Sequence, residues 1–154
     1  MHGRRSPRIV SLNTLSPPAG EKIQATVASL ILAQLKQEGV RAVFGIPGGP
    51  VTPLFDALYH EPGIRTISTR HEAGAAFMAC GYARVSGRLG VCCLTTGPGT
   101  TNAVTGIAAA KSDSLPVLAL SAQVATSTFG KGSLQDSTCF GIDTVEMLRS
   151  FTKM

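Results

Sequence analysis

A short apolar segment, a loop and a segment with helical periodicity follow one another three times along the chain, and a fourth apolar segment comes after them. Apolar runs of this length, bounded by turn residues, are typical of strands that are buried on both faces. Strands of this kind that alternate with helices predict an α/β fold, in which a parallel sheet has helices on both faces. The four predicted strands are 40–46, 64–69, 90–95 and 116–121.

The predicted helices carry signals that mark their ends. The first covers 21–38, and Gly39 follows where a left-handed C-terminal cap is expected. Thr52 and Pro53 are predicted to be the N-cap and the first-turn proline of a helix that ends near Tyr59. Two further helices, and a short one that begins with a capping box, are predicted at 72–85, at 100–111 and from 143–146 onward.

The composition is that of one folded domain. The chain has 154 residues, of which 44% are hydrophobic and 15% charged, and this balance excludes an intrinsically disordered chain. The longest stretch without a charge, 89–110, contains Pro98 and four glycines, which argues against a membrane span. Three arginines within residues 1–20 account for much of the net charge of +5, so no basic stripe remains for nucleic-acid binding.

The N-terminal segment and the cysteines bear on the location of the protein. Residues 1–20 contain no acidic residue and no long apolar core, so we expect a disordered basic leader there and a domain over 21–154. The four cysteines form no C-x-x-C pair and have no histidine spacing suited to zinc, so neither a metal site nor a disulfide framework is indicated. These features favour the cytoplasm, with an organelle as the alternative if the leader is a transit peptide.

The loops that follow the predicted strands are the candidate ligand-binding segments. In an open parallel sheet, ligands bind beyond the carboxyl ends of the strands. All of these loops are therefore expected at one edge of the sheet. The four segments are 45–49 (GIPGG), 69–72 (TRHE), 96–102 (TGPGTTN) and 123–135.

Glu72 stands where the second predicted strand gives way to an alanine-rich helix. A carboxylate beside a ligand pocket suits general acid–base catalysis. The alternative is an ordinary first-turn glutamate that the helix dipole favours, and position alone favours this alternative. For its neighbour His71, a hydrogen-bonded loop histidine is the favoured interpretation. The segment 97–102 matches neither the dinucleotide fingerprint nor the P-loop, so phosphate binding there has little support.

In combination, the motifs are far more specific. They resemble the N-terminal, pyrimidine-binding domain of thiamine-diphosphate-dependent enzymes, which is Rossmann-like, and within that family the acetolactate synthase catalytic subunit. The resemblance covers about 21–153, with the motifs of the family in order. The segments that carry it are VFGIPGG at 43–49, RHEAGAA at 70–76, GYAR at 81–84, TTGPGTTN at 95–102, SDSLP at 112–116 and LQD at 134–136.

The resemblance implies that the domain holds the aminopyrimidine half of thiamine diphosphate. It also implies a part in the decarboxylation and carboligation of 2-oxo acids, as in branched-chain amino acid biosynthesis. It assigns to Glu72 the hydrogen bond with the ring nitrogen, which promotes the tautomer that removes the C2 proton of the cofactor. Gln135 corresponds to the glutamine that faces the reacting centre. The residues that correspond to the lining of the pyrimidine site are Ile46, Pro47, Gly48, Gly49, Pro98 and Asn102.

Three positions depart from the acetolactate synthase pattern. Leu134 and Asp136 flank Gln135 where the synthases usually have phenylalanine and glutamate. Thr100 replaces an alanine that is usual in the Gly-Pro-Gly loop. The two flanking changes leave the identity of the second substrate open.

The resemblance also implies a second domain. In the family, another domain holds the diphosphate and its magnesium through a Gly-Asp-Gly segment, which this sequence lacks. We therefore expect no metal on this chain, and a homo- or hetero-oligomer in which a diphosphate-binding domain or subunit completes the site. The isolated chain is expected to be inactive, and FAD is expected only with a full-length relative. The chain is then either a natural split subunit or a truncated product. The alternative outside this chemistry is a nucleotide-binding or regulatory α/β module.

Overall fold

The computed structural model describes residues 25–153, and the expected leader over residues 1–20 lies outside them. The strands are β1 (Ala42–Gly45), β2 (Arg65–Ser68), β3 (Gly90–Leu94) and β4 (Val117–Ser121). All four are parallel and form a single sheet with the order β2-β1-β3-β4. The predicted α/β class is therefore confirmed, and each strand falls within its predicted segment.

Helices cover both faces of this sheet. They are α1 (Val27–Gln37), α2 (Thr52–Tyr59), α3 (Glu72–Ser86), α4 (Pro98–Asn102), α5 (Val104–Ser112) and α6 (Thr144–Arg149). Leu32 of α1 and Leu58 of α2 are buried with Val43 and Val91 on one face. The alanines of α3 and Ile107 of α5 are buried on the other face, where α6 also packs. None of the helices in the described residues has the length and apolar character to cross a membrane.

Two predicted helix starts are wrong. The first helix begins at Val27, because the side chain of Thr26 caps it by accepting a hydrogen bond from Ser29 N at 3.1 Å. Residues 21–24 of the predicted helix lie outside the described part. Thr52 is not a cap, because a 3-10 turn at Gly49–Val51 leads directly into α2. Its hydroxyl instead donates to the Gly48 carbonyl at 3.1 Å.

The helix predicted at 100–111 is two helices. It starts earlier, at Pro98, and is interrupted at Ala103. The N–H of Ala103 donates to the Thr100 carbonyl at 3.1 Å, which is the tighter i→i+3 pattern of a 3-10 turn. The other end signals are confirmed. Gly39 has a φ of +74° beyond α1, and Asp143 Oδ1 accepts from Glu146 N at 2.9 Å at the start of α6.

Small residues let α3 lie close to both the sheet and α5. The helix buries Ala75, Ala76, Ala79 and Ala83. A Cβ atom added at Gly106 of α5 would lie 2.5 Å from the Cβ of Ala76. The two helices therefore touch through their backbones and methyl groups, which fixes the position of the N-terminus of α3.

We expect Gly106→Ala to lower the free energy of unfolding by about 1–3 kcal/mol, because the added methyl group overpacks the contact with Ala76. Gly81→Ala is the matched control, since Gly81 lies in α3 with nothing within 4 Å of an added Cβ. The control should stabilise the chain by roughly 0.5–1 kcal/mol through helix propensity. Urea unfolding measures both. Equal stabilisation by the two changes would contradict the close helix contact.

The buried cysteines of β3 should be unreactive in the folded protein. Burial raises the pKa of the Cys92 and Cys93 thiols to about 12, and burial also raises that of Cys80. The thiolate is the reactive form, so these thiols remain protonated and inert at pH 8. Cys139 is exposed. A maleimide at pH 8 should modify one cysteine rapidly and the others only after denaturation, and Cys139→Ser should remove the rapid phase. Rapid modification of more than one thiol in the folded chain would refute this.

Candidate functional site

The carboxyl ends of β1, β2 and β3 bring three of the predicted loops to one edge of the sheet. Glu72 is the first residue of α3 and lies at this edge. His71 precedes it as the N-cap, and its Nδ1 atom accepts a hydrogen bond from Ala73 N at 3.2 Å. The histidine thus has a local structural role, and Glu72 places a carboxylate at this edge.

The two carboxyl oxygens of Glu72 have different surroundings. The side-chain amide of Asn102, the last residue of α4, donates to Oε2 at 3.0 Å. Oε1 lies on the side of Gly99, 3.6 Å from the point where a Cβ of that residue would be. No hydrogen bond to Oε1 is formed within residues 25–153. Glu72 therefore has one oxygen that is held in place and one that is open to a ligand.

Thr95, which sequence reasoning did not single out, joins the two glycine-rich loops. A Cβ added at Gly48 would lie 2.8 Å from Thr95 Oγ1, and one added at Gly99 would lie 2.5 Å from Thr95 Cγ2. Both glycines are thus required for the loops to pack against this side chain. Thr95 lies directly after β3 and before the Gly-Pro-Gly segment. This position is the sequence signal by which the residue could have been identified.

The other predicted lining residues lie in the same two loops. Ile46 is half-buried, and Pro47 is exposed after β1. Gly49 has open space where a side chain would start. Pro98 is exposed as the first residue of α4. Within the described part of the chain, no hydrogen bond connects these four residues to Glu72, and what they share with it is the edge of the sheet at which their loops begin.

Gln135 lies against the start of the Gly-Pro-Gly loop. A Cβ added at Gly97 would lie 3.0 Å from the Cβ of Gln135. Gln135 has a φ of +62°, in the left-handed region that non-glycine residues rarely adopt. The long polar segment after β4, residues 123–139, therefore returns to the same edge of the sheet as Glu72.

The residues that flank Gln135 differ in their contacts. Leu134 is 87% exposed. Asp136 Oδ1 accepts hydrogen bonds from the hydroxyl and the backbone N–H of Thr138, at 2.7 and 2.9 Å. These two hydrogen bonds hold the pKa of Asp136 below its ordinary value, and the one from the hydroxyl has the larger effect on the pKa. Asp136, which departs from the family pattern, therefore forms hydrogen bonds within its own turn.

Two grooves of the described residues lie beside the last strand rather than at Glu72. Their volumes are about 490 and 420 Å³, and neither is lined by Glu72, Gly48 or Asn102. Among residues 25–153, no group of three histidine, cysteine, aspartate or glutamate side chains is arranged to hold a metal ion. The described residues thus offer a carboxylate and a glycine-lined surface without a metal anchor.

Comparison with known proteins gives the family. Residues 25–147 match the thiamine pyrophosphate enzyme, N-terminal TPP binding domain. The acetolactate synthase large subunit of Lactococcus lactis is 48% identical over 115 residues, which is 75% of this chain and 20% of that protein. The isozyme 3 large subunit of Escherichia coli is 45% identical over 124 residues, covering 80% of this chain and 22% of that protein.

A third relative is the probable acetolactate synthase large subunit of Methanocaldococcus jannaschii, 49% identical over 115 residues, which is 75% of this chain and 19% of that protein. The chain thus spans about a fifth of the length of the curated relatives it matches. The motifs, the parallel sheet and these matches agree, and the chain belongs to the family of N-terminal TPP binding domains of thiamine pyrophosphate enzymes.

Proposed function

We propose that the chain binds thiamine diphosphate through its aminopyrimidine ring, as one half of an acetolactate-synthase-like site. The observation that carries the proposal is the Glu72 carboxyl group, with Asn102 on one oxygen and the other oxygen open. The bound cofactor supplies the nucleophilic carbon and the electron sink for decarboxylation and carboligation of 2-oxo acids.

The hydrogen bond from Asn102 decides which oxygen of Glu72 handles a proton. Oε2 accepts the amide N–H with one of its two lone pairs, whereas Oε1 accepts no hydrogen bond within residues 25–153 and keeps both of its lone pairs for a ligand. Oε1 is therefore the atom that holds a proton and shares it with a ring nitrogen. Asn102 acts as a positioning residue, because it fixes the rotation of the carboxyl group.

The glycine-rich loops suit a flat ring. Gly48 and Gly99 both pack on Thr95, so their backbones form surfaces without projecting side chains. Gly49 adds open space next to them. In the proposed site, Ile46, Pro47 and Pro98 supply apolar surface along the ring, and Gln135 faces the reacting centre from its place beside Gly97.

The chemistry of the cofactor supports the proposal that another domain or subunit completes the site. The described residues contain no cluster suited to a metal ion, and the diphosphate carries charge that magnesium neutralises. We assign the diphosphate, the magnesium and any FAD to that partner, and we propose that the active form is an oligomer. A cytoplasmic location and a role in branched-chain amino acid biosynthesis go with this proposal.

We expect Glu72→Gln to slow the exchange of the cofactor's C2 proton at least 100-fold, because a neutral amide cannot share the required proton. The chain would be mixed with a Lactococcus lactis large subunit that lacks its matching N-terminal residues, and exchange in D₂O would be followed by NMR. Undiminished exchange in this variant would rule out the assignment of Glu72.

Two further variants sharpen this experiment. Glu38→Gln is the matched control. Glu38 is the C-terminal cap of α1, before the start of β1, and its Oε1 atom accepts a hydrogen bond from the side-chain amide of Gln34 at 2.8 Å. This control should leave exchange unchanged. Asn102→Ala should slow exchange about tenfold, since Glu72 loses one hydrogen bond but keeps the carboxyl group that shares a proton with the ring.

In calorimetry, the isolated chain should bind thiamine diphosphate weakly and without dependence on magnesium. The reason is that the recognised part is the pyrimidine ring, so the free aminopyrimidine alcohol should bind with similar affinity. Tight magnesium-dependent binding would contradict the assignment of the diphosphate to a partner. Binding of NAD or ATP in place of thiamine compounds would favour the nucleotide-binding alternative.

A further inference from the structure

A buried cluster of polar side chains lies next to the start of the Gly-Pro-Gly loop. Thr96 and Ser137 are each 1% exposed, and their hydroxyl oxygens are 2.5 Å apart. Ser137 Oγ accepts the N–H of Gly97 at 2.5 Å. Thr96 Oγ1 lies 3.0 Å from the carbonyl oxygen of Gln135, and Ser137 Oγ lies 3.2 Å from it. The cluster thus connects the two loops at Gln135.

The two hydroxyl groups have one hydrogen atom each, and they face two oxygen atoms that can only accept, the carbonyl of Gln135 and Oε1 of Gln123. Because the two hydroxyl oxygens are 2.5 Å apart, one hydroxyl donates to the other, and the second donates to one of these acceptors. Together with the N–H of Gly97, these contacts connect the Gly-Pro-Gly loop to the segment around Gln135. In a buried site, the loss of any member leaves its partner without a hydrogen bond, which is costly.

Gln123 ties the two ends of the long polar segment to this cluster. Its Oε1 atom accepts from Val124 N at 2.8 Å and from Ser137 N at 3.2 Å. The same oxygen lies 3.2 Å from Thr96 Oγ1. The start of the segment is therefore held next to its end, on either side of Gln135.

The backbone of Gln135 requires such support. Its φ of +62° disfavours any residue with a Cβ, and it faces Gly97, whose φ is +59°. A free loop would relax to negative φ at Gln135. The carbonyl of this strained residue is the group that the two buried hydroxyls hold.

We propose that Thr96, Gln123 and Ser137 are positioning residues that lock Gln135 in its left-handed conformation against the Gly-Pro-Gly loop. The part that Gln135 has in catalysis rests on the proposed function. The locking itself involves this chain alone, and it is tested without any cofactor.

The test compares variants of the full chain by NMR and by proteolysis. Thr96→Val keeps the shape and removes the hydroxyl, and Ser137→Ala removes the other hydroxyl. Both should abolish the left-handed pattern of ¹³Cα and ¹³Cβ shifts at Gln135. They should also speed tryptic cleavage after the exposed Lys131 about tenfold, because the segment opens more often.

Two matched variants show that the hydroxyl groups are responsible. Thr96→Ser restores the hydroxyl and should behave as the unaltered chain. Ser133→Ala removes a hydroxyl of the same segment, one that bonds to the Thr128 carbonyl at 3.3 Å, and should leave Gln135 unchanged. Unaltered Gln135 shifts in Thr96→Val and Ser137→Ala would overturn the inference.

A double-variant cycle keeps the inference testable if Ser137→Ala folds poorly. Glycine adopts the left-handed conformation without strain, so Gln135→Gly should reduce the effect of Ser137→Ala on folding and on cleavage. Additive effects of the two changes would refute the locking. A chain that shows the coupling but does not bind the aminopyrimidine would reject the proposed function and leave the locking intact.

Discussion

Parallel pairing of the strands is the constraint on which the rest of the structure depends. Gly45 lies in register with Ser68 of β2 and with Cys93 of β3, so the three strands finish at the same level. β3 is buried along its whole length between β1 and β4, so its register cannot shift without exposing its apolar residues. Every loop after a strand therefore begins at one edge, and Glu72, the Gly-Pro-Gly segment and the glycines after β1 meet there.

Backbone-to-backbone contact is the second organising feature, and it links stability to the site. A Cβ at Gly45 would collide with the carbonyl of Cys93, and one at Gly90 would collide with the carbonyl of Ala79. Gly90 against Ala79 holds α3 on the sheet, Gly106 against Ala76 holds it on α5, and Gly45 against Cys93 brings β1 and β3 together. The carboxylate of Glu72 is held in place by the packing of an entire helix, so substitutions far from the edge can displace it.

The sequence was informative where the signal is local. Strand positions, the start of α3 at Glu72 and the capping box at Asp143 follow from short-range patterns, and the structure has each of them. The interruption at Ala103, the contacts of Thr95 and the hydroxyl cluster of Thr96 and Ser137 could not be predicted in this way. They depend on segments that are distant in the chain, and threonine and serine are common in loops for many other reasons.

The left-handed backbone at Gln135 restricts which amino acids this position can accept. Valine, isoleucine and threonine are branched at Cβ and collide with their own backbone at a φ of +62°. Asparagine and aspartate tolerate this conformation better than other side chains, and glycine adopts it freely but has no side chain. Variation at this place, natural or engineered, is therefore limited to a narrow set of unbranched side chains, whatever substrate the completed site receives.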